Sequence, residues 1–534
     1  MTERHTQSRI PLKPLYTAGD LEGWDPAERL GDPGAYPYTR GARAHPEERG
    51  GWIQRELSGE GDAAQSNAQF HYLLSRGQTG IDVIGDTPTE SLLDPDHPFA
   101  EQAVGTQGVS LCCLDDYREL YRDLPLDRIT LSHSLHPAFV VPALYCVALE
   151  RGISPAVLRG SVVQAPYYCE DTGYSIHMPF ELRERMAVDS IAFCAEEMPR
   201  FHALLEDTYY FSDGGLDSVE EMALGFVEIR GLVRALLARG IEIDRFAPRI
   251  AILVNCRMDF FEEIAKIRAT RRIFSRMMRD EFGATDRRSL AVNIAAHTSG
   301  LSLTAQQPVN NVVRGATQAL ALALAGAQAI EVSTFDEAFR IPSREAHLVG
   351  LRTQQIVQLE SGVTRVADPL GGSYYVESLT DELERRIEER VQSIEAVGDP
   401  GELCESGWFR RIFEDAMERH AREVDEGRLP KVGVNAHVIP DDEDVLLRDV
   451  AQEKIEPSRE RVARIREYRE SRDGSRVTAS LEALHVRASD REASLIQPLI
   501  EATQAGATMG EMAGVLRMAY GRPADPFGRL ADPI

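Results

Sequence analysis

The chain runs to 534 residues, 43% hydrophobic and 27% charged, and its 85 acidic against 59 basic residues leave a formal charge of −26. That length allows a large core with further segments. The acidic excess argues against nucleic acid or an anionic membrane as the main partner, although a local basic patch can still hold a phosphate.

In chain order, residues 1–60 are rich in Pro, Gly and Arg and read as an extended arm. The opening M-T-E-R-H-T-Q-S-R holds no apolar core and so no secretory signal. Short β-like runs then alternate with helical patterns about eight times: 79–85, 128–134, 159–164, 203–210, 249–255, 289–297, 329–335 and 364–369. Between them lie segments such as 218–237, whose apolar residues recur at three- and four-residue intervals. Cys112 and Cys113, in V-S-L-C-C-L, read as small buried apolar residues rather than a redox pair. Seven cysteines without a C-x-x-C pair fit free thiols in a reducing compartment. The longest apolar stretch, 319–330, is too short for a bilayer span of roughly 20 residues, so a cytoplasmic protein is expected. Residues 401–534 turn into a charged helical segment, its acids and bases near helical spacing on a solvated face.

Eight strand–helix units over 61–400 predict an α/β fold, a (β/α)8 barrel with an N-terminal arm and a C-terminal helical segment. No G-x-G-x-x-G follows the first strand, which disfavours a doubly wound sheet. In a barrel, active groups stand at the C-terminal strand ends. That rule puts T-Y-Y-F-S-D (208–213) at the mouth, together with Asn255, His297 and Glu337. Asp82 and Ile84, two residues apart, share one face of the first strand, and a charge inside a barrel needs a partner.

Several strings are longer than any single turn or cap requires. T-S-G-L-S-L-T-A-Q-Q-P-V-N-N-V-V-R-G (298–315), F-A-P-R (246–249), F-F-E-E-I-A-K-I-R-A (260–269) and E-S-G-V-T-R-V-A-D-P-L-G-G-S-Y-Y-V-E (360–377) resemble the adenosylcobalamin-dependent acyl-CoA mutases, the methylmalonyl-CoA mutase family. P-Y-T-R-G (37–41) and T-M-G-E-M (508–512) match as well. The resemblance implies a barrel that takes the pantetheine chain of an acyl-CoA along its axis, with cobalamin across the strand ends. It also implies a missing part. Family cobalamin domains carry D-x-H-x-x-G, and here no histidine has Asp two places before it. The expected protein is therefore the large subunit of a split mutase, paired with a small cobalamin-binding subunit, two copies of each.

Residue by residue, the resemblance implies Tyr209 and Tyr210 as the catalytic pair, with Tyr210 in place of a family His that donates to the thioester carbonyl. A phenol remains a donor at neutral pH. Gly173 stands where methylmalonyl enzymes clamp the substrate carboxylate with Arg, so a free carboxylate loses its bidentate partner. Leu57 replaces a family Tyr, and Ile84 stands where the hydroxyisobutyryl branch has Asp. For the thioester handle Ser132, Ser134, Ser161, Arg249 and Gln328 match family contacts, Arg288 stands where the family has Lys and His297 where it has Gln, with Val163 at a strand end and Asp82 on the first strand added. On the cofactor side Arg55 and Glu337 match, and Asp213 stands where the family has Glu, a shorter carboxylate. Three readings stay open: a mutase for an acyl thioester without a free carboxylate, a non-catalytic mutase-like subunit, and a barrel acting on carrier-bound acyl groups.

Overall fold

The computed structural model describes residues 4–44, 51–168, 177–440, 442–445, 447 and 455–534. Nine strands build its main sheet: β1 Ile53–Arg55, β2 Leu57–Ser58, β3 Gly80–Ile84, β4 Thr130–Ser134, β5 Arg159–Gln164, β6 Phe201–Asp207, β7 Ile250–Cys256, β8 Asn293–Thr298 and β9 Ala329–Glu331. Hydrogen-bonded neighbours follow the order β1-β9-β8-β7-β6-β5-β4-β3-β2. The fold is α/β, of the (β/α)8-barrel class. Among the described residues no helix is long and apolar enough to cross a membrane.

Two strand expectations need correction. Residues 364–369 form no strand: Val363–Arg365 is a 3-10 turn, and Asp368 takes a left-handed φ of 46°. The remaining strand positions come instead from Ile53–Arg55 and Leu57–Ser58, inside the segment expected to be an extended arm. The strand expected at 289–297 also begins later, at Asn293, after a short helix Arg287–Leu290.

The chain divides into two compact units. The first comprises Met1–Glu56 and Glu206–Glu453. It holds β1, the end of β6, β7, β8 and β9, with α1 Tyr209–Asp213, α2 Ser218–Ala238, α3 Phe260–Arg276, α4 Asn310–Ala325, α5 Arg344–Leu359 and α6 Tyr374–Glu395. Strand β7 reads I-A-I-L-V-N-C and is buried throughout, as a parallel strand covered on both faces should be. Helix α2 begins at Asp217, whose carboxylate accepts from Val219 N and Glu220 N at 3.1 Å each.

Three of the long strings meet in one buried ion cluster of this unit. Arg268 donates to Asp368 at 2.6 Å and to Glu377 at 2.5 Å, and Arg40 Nε reaches the other Asp368 oxygen at 3.1 Å. P-Y-T-R-G, I-A-K-I-R-A and A-D-P-L-G-G-S-Y-Y-V-E are thus partly a stability device.

The second unit comprises Leu57–Leu205 and Lys454–Ile534. It holds β2 to β5, most of β6, and four C-terminal helices: α7 Arg459–Ser471, α8 Gly474–Ser489, α9 Ile496–Ala505 and α10 Met509–Ala519. T-M-G-E-M opens α10 as a capping box, with Thr508 as the cap and Glu511 three residues on. Asp94 accepts from the Thr508 hydroxyl at 2.5 Å and from Gly510 N at 2.9 Å. A Cβ at Gly510 would stand 2.8 Å from the Asp94 carboxyl carbon, so that position needs glycine. Cys112 and Cys113 are buried as expected. They also open the helix Leu114–Leu120, where Asp116 accepts from both their backbone amides and from Arg461.

Candidate active site

In register across the first unit, Arg55 lies opposite Glu331, Glu331 opposite His297, and His297 opposite Asn255. Residues in register on parallel strands project to one face. This row therefore sets four polar side chains side by side at the C-terminal ends of β1, β9, β8 and β7. All four are buried. Glu331 Oε1 lies 3.3 Å from Arg55 Nε and 3.1 Å from His297 Nε2. Two residues back on the same face stand Ile53, Ala329, Ala295 and Leu253, and Ala251 lies beyond. The opposite face carries the fully buried Ile252, Val254, Ile294 and Ile330.

Above the row, T-Y-Y-F-S-D follows the end of β6, with Thr208 at the N-cap of the single-turn helix α1. The Thr208 hydroxyl is shared between Leu253 O at 2.9 Å and Glu221 Oε1 at 3.1 Å. The Tyr209 ring packs on His297, centroids 4.8 Å apart, and edge-on to Tyr210 at 5.4 Å. Tyr209 is buried and Tyr210 half-buried. Burial and then the neighbouring Asp213 carboxylate, to which the phenol is hydrogen-bonded, hold the Tyr209 hydroxyl well above its usual pKa. That group is a donor and not a phenolate.

Asp213 is anchored by Asn255 Nδ2 at 2.6 Å and the Ser299 hydroxyl at 2.8 Å, both on its Oδ1. Its Oδ2 faces Gly300. A Cβ there would stand 3.0 Å from Asp213 Oδ2, 3.5 Å from the Tyr209 oxygen and 3.7 Å from Glu337 Oε1. Three oxygen groups, two from the turn after β6 and one from beyond β9, thus converge on a glycine after β8 with no side chain to fill the space. Burial lifts Glu337 to about 7 against the pull of the Thr334 amide and His297. It lifts Asp207 to about 7 as well, opposed by His297 and by the amides of Tyr210 and Tyr209.

The remaining handle positions of this unit lie at the other ends of the strands. Arg249 immediately precedes β7, Arg288 precedes β8, and Gln328 precedes β9. Arg288 is exposed and paired with Asp286 at 2.6 Å. Gln328 Oε1 accepts from Ile294 N at 2.6 Å. The seven residues of β7 separate these ends by roughly 20 Å at ~3.3 Å per residue.

The second unit assembles its own row: Leu57 opposite Asp82, Asp82 opposite Ser132, and Ser132 opposite Ser161. The Ser132 and Ser161 hydroxyls are 2.8 Å apart. Ile84 pairs with Ser134 one step further on, and Val163 follows Ser161 along β5. Gly173 lies outside the described residues.

Sequence reasoning missed Asp207, Glu221 and Glu331 as parts of this site. Asp207 and Glu331 are carboxylates in the apolar runs A-L-L-E-D and A-I-E-V, Glu221 leads into the apolar M-A-L, and an unexplained charge on a buried strand or helix face was the available signal.

A family model described as methylmalonyl-CoA mutase matches residues 5–522. The chain is 36% identical over 521 residues to the 2-hydroxyisobutanoyl-CoA mutase large subunit of Aquincola tertiaricarbonis, covering 97% of this chain and 92% of the relative. It is 34% identical over 524 residues to the methylmalonyl-CoA mutase of Escherichia coli (strain K12), covering 97% and 72%. To the methylmalonyl-CoA mutase large subunit of Streptomyces virginiae it is 33% identical over 530 residues, covering 97% and 71%.

Proposed function

The chain belongs to the methylmalonyl-CoA mutase family of isomerases, and from that premise we propose that it is the large, substrate-holding subunit of a split adenosylcobalamin-dependent mutase acting on an acyl thioester without a free carboxylate. The observation that carries the proposal is the convergence of Tyr209, Asp213 and Glu337 on Gly300 above the row Arg55–Glu331–His297–Asn255. Two carboxyl groups and a phenol around an open glycine suit the hydroxyls of an adenosyl ribose, so the residues present fit the family's cofactor. The chemistry that cofactor supplies when bound is a carbon-centred radical that starts the rearrangement.

The chain's own residues bind and orient. Asp213 and Glu337 hold the adenosyl side, with Arg55 behind Glu331. Tyr209 presents its ring as a wall, and the half-buried Tyr210 donates to the thioester carbonyl as negative charge gathers on its oxygen. Arg249, Arg288 and Gln328 at the far strand ends, with the small Ala251, Ala295 and Ala329 between, support an elongated pantetheine-type arm lying along the strands. Ser132, Ser134, Ser161 and Val163 line the corresponding face of the second unit, where Leu57, Asp82 and Ile84 meet the acyl end.

Charge supports the exclusion of dicarboxylates. Glu56, Asp207, Asp213, Glu331 and Glu337 gather in the first unit against Arg55 and His297, and Glu56 is pushed well up by burial and by Glu331 and Glu337. A further carboxylate entering there finds Arg55 and His297 already engaged with Glu331, and Gly173 supplies no guanidinium.

The cobalamin carrier is proposed as a separate small subunit, two copies of each chain assembling. Equilibrium dialysis with adenosylcobalamin tests this reading: the chain alone should bind weakly, and the mixture with a small D-x-H-x-x-G protein should bind stoichiometrically. Tight, stoichiometric binding by the isolated chain would refute it.

A further inference from the structure

The buried cations of the first unit are for the most part neutralised in place. Lys266 sits between Glu221 at 2.7 Å and Glu263 at 2.6 Å, and Arg272 between Asp381 at 2.6 Å and Glu384 at 2.5 Å. One group near the candidate site breaks that pattern. Arg257, Arg314 and Lys431 make no ion pair with a carboxylate among the described residues; their partners are neutral. Arg257 donates to Leu216 O at 3.1 Å and to His420 Nδ1 at 3.2 Å, and Gln7, in the amide orientation that satisfies both its side-chain atoms, accepts from Nε at 2.7 Å. Arg314 donates to Asn311 Oδ1 at 2.6 Å and to the Thr304 hydroxyl and Val432 O at 2.9 Å each. Lys431 donates to Leu301 O at 2.7 Å.

These cations act on one another. Burial first, then Arg257 and Arg314, lower the Lys431 amine to about 8, with Asp213 pulling the other way. Burial, Arg257 and Lys431 lower His420 to about 4, so its ring is neutral and accepts from Arg257, while Glu423 opposes. Glu423 is itself paired with Arg9 at 2.7 Å. Arg314 stands near the start of α4, where the helix dipole adds positive potential and the first turn holds no acidic residue. In a chain carrying −26, three clustered cations whose hydrogen-bond partners are neutral, with no carboxylate in ion-pair contact among the described residues, are a concentrated positive charge with a defined geometry. Lys431 keeps two N–H groups beyond Leu301, and both Lys431 and Arg314 are half-buried, within reach of solvent.

We propose that Lys431 and Arg314, backed by Arg257, form a binding site for a phosphoryl oxyanion beside the Gly300 loop. A dianion comes closer to neutralising three cations than a carboxylate does, and its tetrahedral oxygens can accept from the ammonium and the guanidinium together. The site lies past the C-terminal ends of β7 and β8, at the opposite strand ends from Arg249 and Arg288. It is therefore a second anion position and stands independently of the acyl reading.

The full chain should be titrated calorimetrically with inorganic phosphate and with adenosine 5′-monophosphate, against chloride at matched ionic strength. Phosphoryl binding above the chloride control, weakened about tenfold or more by Lys431→Gln with Arg314→Gln, supports the site. Tighter binding of the monophosphate marks a nucleotide as the source, and equal binding marks free phosphate. No binding above chloride, or unchanged binding in the double variant, overturns it. A second measurement needs no variant. The chain has four lysines, Lys13, Lys266, Lys431 and Lys454. Phosphate should slow acetylation of Lys431 by acetic anhydride while leaving the exposed Lys13 unaffected, and equal rates with and without phosphate would count against the site.

Discussion

Tyr210 carries the most specific claim at the scale of one residue. Its neighbour Tyr209 is held by His297 against its ring and Asp213 on its hydroxyl, whereas Tyr210 is half-buried and stands T-shaped to Tyr209. Tyr210→Phe keeps the ring and removes the donor. Loss of one such donor costs on the order of 3 kcal/mol, so kcat should fall about a hundredfold with KM little changed, measured by steady-state turnover. Parent-like turnover would reduce the phenol to packing. Asp207 makes a pH prediction. Burial holds its folded pKa near 7, above the usual 3.8, so the fold favours the protonated acid. Its contribution to stability is complete below about pH 4 and is lost as pH rises through 7. Asp207→Asn should therefore gain stability relative to the parent between pH 5 and 8 in urea titrations. An equal pH slope in both proteins would remove Asp207 from that account. The motif residues at this scale were readable because they carry chemistry; Asp207 was not, because only the fold shows that His297 faces it.

At the scale of elements, the end of β7 is tied down by a buried charge hub. Glu221 Oε1 accepts from the Thr208 hydroxyl at 3.1 Å and Asn255 N at 3.2 Å, and Lys266 joins Glu221, Glu263 and Asn255 O. Asn255 in turn holds Asp213. Lys266→Met leaves two buried carboxylates without their cation and should destabilise the protein by about 3–5 kcal/mol in chemical denaturation. A loss below about 1 kcal/mol would show that the carboxylates simply protonate. Most strands and the helix at 218–237 were legible from their periods. The two misplaced strand segments failed for one reason. In W-I-Q-R-E-L-S the charges look exposed, but Arg55 pairs with Glu331 and Glu56 accepts from Gln354 at 2.8 Å, both inside the fold. In T-R-V-A-D-P the apolar pattern looks extended, but Asp368 is turned to meet Arg40 and Arg268. Pairing partners distant in sequence decided both.

At the scale of the molecule, the −26 charge opposes compaction, and salt relieves it: the Debye length falls from about 10 Å at 0.1 M to about 3 Å at 1 M. Tm should rise between 0.1 and 1 M KCl in calorimetry, and a falling Tm would mean that surface ion pairs outweigh the net repulsion. The central claim concerns the whole assembly. The proposed substrate end was legible only as a set of substitutions, since Gly173, Leu57 and Ile84 say which family residues are replaced and not which acyl group is held. The measurement that tests it most directly is anaerobic turnover of an acyl-CoA panel by the chain mixed with a small D-x-H-x-x-G protein and adenosylcobalamin, with products read by mass spectrometry. The account predicts rearrangement of an acyl group without a free carboxylate. It predicts methylmalonyl-CoA and succinyl-CoA slower by tenfold to a few hundredfold, the effect of about 1.5–3 kcal/mol for a lost charge-assisted contact. Turnover of succinyl-CoA at the rate of the best substrate would contradict it.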